Sequence, residues 1–235
     1  MTLQGLIDHW RKQVSDTAVP YLWDDDEALL FAIDAQDVFV RKMGGISDET
    51  IAAASDPTNL RLHDIALTPN VALAAFSPYI LRVRSAKLLT QKWSINFISE
   101  ADVGTQMVRD YGFVTAKYLD DTDTGIVTSA VIGLIDGKVR WWRVPTVADT
   151  CRMHIYRLPF PRITTSESSL EIDEQHHIHL VAWMKHLAYS KEDAETYDKD
   201  LADKNEASFM KYCDDAKAEK DRQRFKPRIV HYGGL

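Results

Sequence analysis

Apolar residues recur with a helical period at both ends of the chain and with a period of two between them. Leu3, Leu6, Ile7, Trp10 and Val14 fall on one face and predict a short amphipathic helix. Thr17 to Tyr21 is a break, with Pro20 biasing Val19 toward extended backbone. A second helix follows Trp23, with Asp24 as N-cap, Glu27 as its capping-box partner, and further acids at the positive end of the dipole. Phe31, Ala32, Ala35, Phe39 and Met43 form its apolar face, and Gly44-Gly45 stops it. Asp173 to Arg224 reads as two helices folded back on each other. The first carries Leu180, Trp183, Met184, Leu187 and Ala188 at i, i+3, i+4, i+7 and i+8, widened by Ile178, Val181 and Ala182. Ser190 to Asp193 supplies a restart. The second has a narrow seam of Tyr197, Leu201, Phe209, Tyr212, Cys213 and Ala216, while 17 of the 32 residues from Asp193 to Arg224 are charged. A helix of that length would span roughly 48 Å. Trp10, Phe31, Trp183, Leu187 and Phe209 are the expected core anchors.

From Asn59 the pattern alternates. Leu60 to Leu62, Tyr79 to Arg84, Trp93 to Phe97, Phe113 to Leu119, Ile126 to Ile135 and Cys151 to Arg157 read as strands, with a short helix or loop opened by Ser99. Asp136-Gly137 predicts a tight hairpin. Pro159 and Pro161 end the run, because proline cannot donate to a ladder. The expected fold class is therefore α+β: a helical bundle formed from both chain ends, with an inserted antiparallel β-rich domain and an extended C-terminal tail. The boundaries read as residues 1–58 and 165–224 for the helical domain, 59–164 for the insert and 225–235 for the arm, since Pro227 stops the last helix.

Composition narrows the function classes. The chain has 235 residues, 45% apolar and 27% charged, as expected of a soluble globular protein. No apolar run is long enough to span a membrane, and the N-terminus lacks the basic and apolar regions of a secretory signal. Cys151 and Cys213 make no metal spacing and read as reduced, buried thiols. The net charge of −7 argues against general nucleic-acid binding. Its distribution is uneven. Between Lys12 and Arg41 lie seven acids and no base, whereas Lys217 to Arg228 holds six bases against two acids.

Candidate chemistry is sparse. His176, His179 and His186 fall near one helical face, but the His-Glu-x-x-His arrangement of a helical zinc site is absent, so packed or capping histidines are expected. The acids at Asp24 to Asp26 lack the geometry of a calcium loop and read as helix-capping residues. No nucleophile elbow, phosphate-binding loop or Cys-x-x-Cys occurs. The expectation is no enzyme, no metal and no cofactor. Arg82 and Arg84, with Arg140, Arg143, Arg152 and His154, could meet a nucleic acid, but alternating Arg on a strand is more often the solvated face of a half-buried sheet.

Three stretches carry a family resemblance: Leu6-Ile7 to Asp16 with Tyr21 to Glu27 and Ile33 to Gln36; Glu171 to His177 with Leu180, Trp183, Ala188-Tyr189, Asp193, Asp198 and Phe209; and the ending Arg228-Ile229-Val230-His231-Tyr232-Gly233-Gly234-Leu235. Together they cover about half the chain and resemble the head-to-tail adaptor (connector, or neck) proteins of tailed phages, especially short-tailed ones. Where such sequences often have Ile-Pro before the first C-terminal helix, this chain has Ile172-Asp173, a less rigid entry. The resemblance implies a virion structural protein, made in the host cytoplasm, that forms a ring, commonly of twelve copies, beneath the portal and presents a platform to a tail or nozzle protein. It implies passage of genomic DNA without specific binding, and the acidic excess in Gln13 to Val40 and Asp193 to Ala216 would repel phosphates from any channel wall. The chain's last segment suits a portal-docking arm, with Arg222, Arg224, Lys226 and Arg228 for an acidic surface and Ile229, Val230 and Tyr232 as a strand-like run. The alternative function is a nucleic-acid-binding or regulatory module, and a metal enzyme using the His176–His186 face is a further rival.

Overall fold

The computed structural model describes residues 1–48, 62–103, 107–110, 113–116, 119–192 and 196–224. The chain divides into two compact units, one of Ser47–Arg157 and one of Met1–Ile46 together with the chain from Leu158.

The Ser47–Arg157 unit is built on a curled mixed sheet. Its strands are β1 (Ile46–Asp48, beginning at the unit border), β2 (Asp64–Leu67), β3 (Leu73–Ala75), β4 (Ile80–Leu88), β5 (Ser94–Ser99), β6 (Met107–Asp110), β7 (Phe113–Ala116), β8 (Thr124–Gly125), β9 (Ser129–Ile132), β10 (Lys138–Trp141), β11 (Val144–Pro145) and β12 (Asp149–Arg157). Eight of these form one sheet in the order β1-β12-β4-β5-β9-β10-β3, with β2 also on β12. β12 alternates from Asp149 to Ile155, burying Cys151, Met153 and Ile155 while Arg152 and His154 alternate with them; its register then shifts and Tyr156 is buried as well. Leu88, Ile95, Ala130, Val139 and Trp141 complete the same core. β6 and β7 pair as a separate hairpin, and β8 lies parallel to β11.

The expected helical bundle from both chain ends, with an antiparallel insert, is not what the chain builds. The fold is mainly a curled mixed β-sheet, a half-barrel, with four helices longer than one turn among the described residues. β5 and β9 pair in parallel, Asn96 opposite Ser129 through Ser99 opposite Ile132. Alternation reports which face of a strand is buried and carries no sign of its direction, so the parallel pair is silent in the pattern. Asp136-Gly137 does sit at a turn, with Lys138 N–H donating to Ile135 C=O at 3.1 Å and Gly137 at φ +70°. The connection from β9 to β10 is nevertheless longer than a two-residue hairpin. Of the strand expected at Leu60 to Leu62, residues 60 and 61 lie outside the described residues.

In the other unit the helices are α1 (Leu3–Gln13), α2 (Asp25–Lys42), α3 (Glu174–His177), α4 (Leu180–Ser190) and α5 (Lys199–Arg224). α4 is the hub, packing on α1, α2, α3 and α5. Lengths of 11, 18, 11 and 26 residues for α1, α2, α4 and α5 correspond to ~16 Å for the shortest and ~39 Å for the longest, so α5 extends well beyond the span of α4. The single helix expected from Asp173 breaks after α3, which leaves Ile178 exposed. The last helix restarts later than Ser190 to Asp193: Asp198 caps it, accepting from Leu201 N–H at 2.9 Å, and Tyr197 is outside it and exposed.

Candidate interaction surfaces

α2 opens and closes on its own signals. Asp24 Oδ1 accepts from Glu27 N–H at 2.6 Å. At the other end Gly44 takes φ +76°, and the pair Gly45 N–H to Val40 C=O (2.8 Å) and Gly44 N–H to Arg41 C=O (3.1 Å) makes a Schellman stop. Lys220, near the end of α5, donates its Nζ to the carbonyls of Met43 and Gly45 at 3.3 and 2.9 Å. A cation at a helix C-terminus is favoured by the dipole. The basic end of α5 is thus anchored on α2 just before the residues expected to form the arm.

The loop between α1 and α2 is held by a residue the helical pattern does not single out. Arg11 is buried, and its Nη1 donates to Asp16 and to Trp23 C=O, the latter at 2.9 Å, while Nη2 reaches Asp25 at 2.8 Å. Its guanidinium stacks over the Tyr21 ring, 3.9 Å from the centroid. Asp16 also accepts from Leu22 N–H at 2.8 Å. The loop is therefore tied at Asp16, Tyr21, Leu22 and Trp23, yet Val19 is 79% and Leu22 50% exposed. A cation five residues before an acid, just ahead of a predicted break, is the one trace of this in the sequence.

In the sheet unit a similar clamp joins two loops. Asp149 accepts from the backbone N–H groups of Thr90 (2.9 Å), Gln91 (3.0 Å) and Thr150 (2.7 Å). Burial pushes its carboxyl up, but the three N–H donors outweigh this and hold it below the usual carboxylate value. Trp93 (55% exposed), Leu89 and Val147 lie within two residues of this clamp and are all exposed. Trp93, expected in a half-buried strand, precedes β5 and faces solvent.

The expected arginine face is largely occupied. Arg152 makes a two-pronged pair with Asp64, 2.8 Å on each prong, which raises the Arg152 pKa. Arg140 pairs with Asp121, Arg143 with Asp123, and Arg82 stacks on Tyr156. His154 Nε2 lies 2.9 Å from Ser47 Oγ. Such pairing leaves this face poorly suited to counting down phosphate charge.

The histidines enter a packed cluster. His176 Nδ1 lies 2.7 Å from the Tyr212 hydroxyl, His179 stacks on the Tyr212 ring with centroids 3.6 Å apart, and His186 Nδ1 lies 3.1 Å from Ala202 C=O. Burial lowers the pKa of both His176 and His179. Among the described residues no three His, Cys, Asp or Glu side chains are grouped to hold a metal ion. Cys151 and Cys213 are free and buried, their thiols pushed up by burial to about 12 and about 11. Trp10 and Phe209 are fully buried. Phe31, Trp183 and Leu187 are half-buried, and the Trp183 indole N–H donates to Asp34 at 2.7 Å. Arg222 is exposed on α5 and Arg224 is the helix's last residue; Lys226, Arg228, Ile229, Val230 and Tyr232 lie outside the described residues. No helix among the described residues is long and apolar enough to cross a membrane.

Two loops clamped by buried charge, with exposed apolar side chains beside them, and a basic helix end held at Met43 and Gly45 stand out among the described residues. The family model for the SU10 adaptor protein matches residues 1–230. The chain belongs to that family of phage adaptor proteins, which makes it a virion protein that works with portal and tail proteins and points to a non-enzymatic role. A search of curated proteins finds no match.

Proposed function

We propose that the chain is a head-to-tail adaptor that forms a ring beneath the portal, in the neck of the virion, and links capsid to tail. The family match across residues 1–230 carries the reading. The anchored, basic end of α5 supports it, because Lys220 of α5, bonded to the carbonyls of Met43 and Gly45 just past α2, fixes the helix that precedes the arm in sequence. Arg222, Arg224, Lys226 and Arg228 steer the arm to an acidic portal surface, and Ile229, Val230 and Tyr232 add to a sheet edge or groove there. Ordering such an arm costs roughly 1–2 kcal/mol per residue, which the multivalency of a ring, of twelve copies in this reading, offsets. The acidic stretches Gln13 to Val40 and Asp193 to Ala216 keep passing DNA unbound. Deletion of residues 226 to 235 tests the reading. The truncated protein should keep its stability and fail to join portal-bearing heads; truncated chains that join as well as full-length ones would refute the arm.

A further inference from the structure

Two exposed apolar loop tips, one in each unit, are pre-shaped and oppositely charged at their rims. In the sheet unit, Leu89, Trp93 and Val147 project beside the Asp149 clamp. The stretch from Ile80 to Ser99 that carries the first two contains Arg82, Arg84, Lys87 and Lys92 and no acid, with Lys87 and Lys92 exposed. In the helical unit, Val19 and Leu22 project from the Arg11 staple, followed by exposed Asp24, Asp25 and Asp26. One turn beyond Asp26 on the same helix face stands Leu30, 62% exposed.

Large apolar side chains in water are unremarkable singly. Here they sit on loops whose backbones are hydrogen-bonded at Leu89, Thr90 and Gln91 in one case and at Asp16, Leu22 and Trp23 in the other. Little chain entropy remains to be lost when a partner covers them, which is the condition for a strong contact from few residues. An exposed tryptophan ringed by charge is the side chain most often found at the energetic centre of an interface.

We infer that the Trp93 tip of one copy docks on the Val19–Leu22 tip of the next copy, with Lys87 and Lys92 meeting Asp24, Asp25 and Asp26. The occupant is a second copy because the complementary rim is present on this same chain. Pairing two different patches is a heterologous contact, which propagates from copy to copy. The inference rests on the reading of the chain as a ring-forming adaptor and names the surfaces that make the ring. Both clamps are made of residues other than those of the proposed arm, so subunit contact and portal docking can be perturbed separately.

Cross-linking of the full chain tests it. Ala18 and Ser94 are exposed neighbours of the two tips, and Cys151 and Cys213 are buried. The Ala18→Cys/Ser94→Cys chain, oxidised both free at high concentration and on portal-bearing heads, should give a ladder of linked dimers, trimers and larger species. Each single variant should stop at background. In the Ala18→Cys/Ser94→Cys background, Trp93→Ser should reduce the ladder at least tenfold, as should Asp26→Lys or Lys92→Glu. The Asp26→Lys/Lys92→Glu combination should recover most of it. No ladder in either setting overturns the inference, as does a ladder unchanged by Trp93→Ser or unrescued by the charge exchange. Trp93→Ser chains that assemble normally but fail to attach a tail would assign the tip to a tail protein and overturn it too. Loss of the ladder with portal attachment intact leaves the adaptor reading standing; loss of portal attachment by the unmodified tips would strike that reading instead.

Discussion

Replacing Arg11 by Met should destabilise the helical unit by about 3 kcal/mol. Arg11 and Asp16 form an ion pair whose side chains are 6% and 4% exposed. Removing one member of a buried pair costs roughly 3–5 kcal/mol, because the other charge stays desolvated. Asp16 keeps the Leu22 N–H, so the loss should fall at the low end of that range. The contact to Asp25 adds little, since that carboxylate is 80% exposed. Trp23 C=O loses a donor at the same time. Equilibrium urea unfolding followed by tryptophan fluorescence is the assay, because Trp10 and Trp23 flank the site with ring centroids 5.4 Å apart. The orphaned acid should dominate the cost. Adding Asp16→Asn to Arg11→Met should therefore recover part of the loss, whereas independent contributions would add. A loss under about 1 kcal/mol, or a double variant whose cost equals the sum of the two single costs, would refute the reasoning.

Four further outcomes follow from the same structure. Asp149→Asn should cost about 1–3 kcal/mol at neutral pH, as N–H donors face an amide in place of a carboxylate. Its folded pKa is depressed, so its contribution is present above the unfolded carboxylate value and is lost as pH falls through the folded one; the variant should lose less stability than the parent over that acid window, measured by unfolding free energy against pH. Gly44→Ala should cost about 1–2 kcal/mol in the same unfolding assay, for backbone strain alone, because a Cβ there meets nothing within 4 Å. Neither thiol should react with a disulfide reagent at neutral pH on the timescale of an exposed cysteine, and the rate should rise as urea opens the fold. Ser47–Arg157 produced alone should unfold cooperatively by circular dichroism, as an independent domain would.

Local signals were legible in the sequence wherever a feature is written in consecutive residues. The Asp24 cap, the Gly44-Gly45 stop and the alternation of β12 depend on near neighbours along the chain, and each stands where its residues are. Features set by partners distant in sequence were not. The parallel pairing of β5 with β9 joins strands of ordinary alternating pattern across a long connection, so the mixed sheet has no local mark and an antiparallel insert was the default reading. Trp183 shows a related gap. Its place in the apolar stripe is real, but it stays only partly buried, because its N–H turns to Asp34 on α2 while its ring packs on Phe209 of α5.

The surfaces were the least legible part, for a physical reason. Periodicity finds side chains that leave water, and so it nominates cores; a docking tip is apolar and stays in water. Trp93 and Leu22 look in sequence like the start of a strand and the approach to a helix. What separates them from core residues is the hydrogen bonding beneath them, by Asp149 and by Arg11 with Asp16. Both clamps hold the backbone at several points, with a charged group satisfied by backbone partners, and both use ionised groups that an ordinary surface loop would leave hydrated. Keeping such a buried charge in each of two loops carries a desolvation cost that a shorter turn would avoid. Rigid presentation of the tips accounts for that cost, which is why the binding role is better read from the buried charges than from the exposed apolar residues themselves.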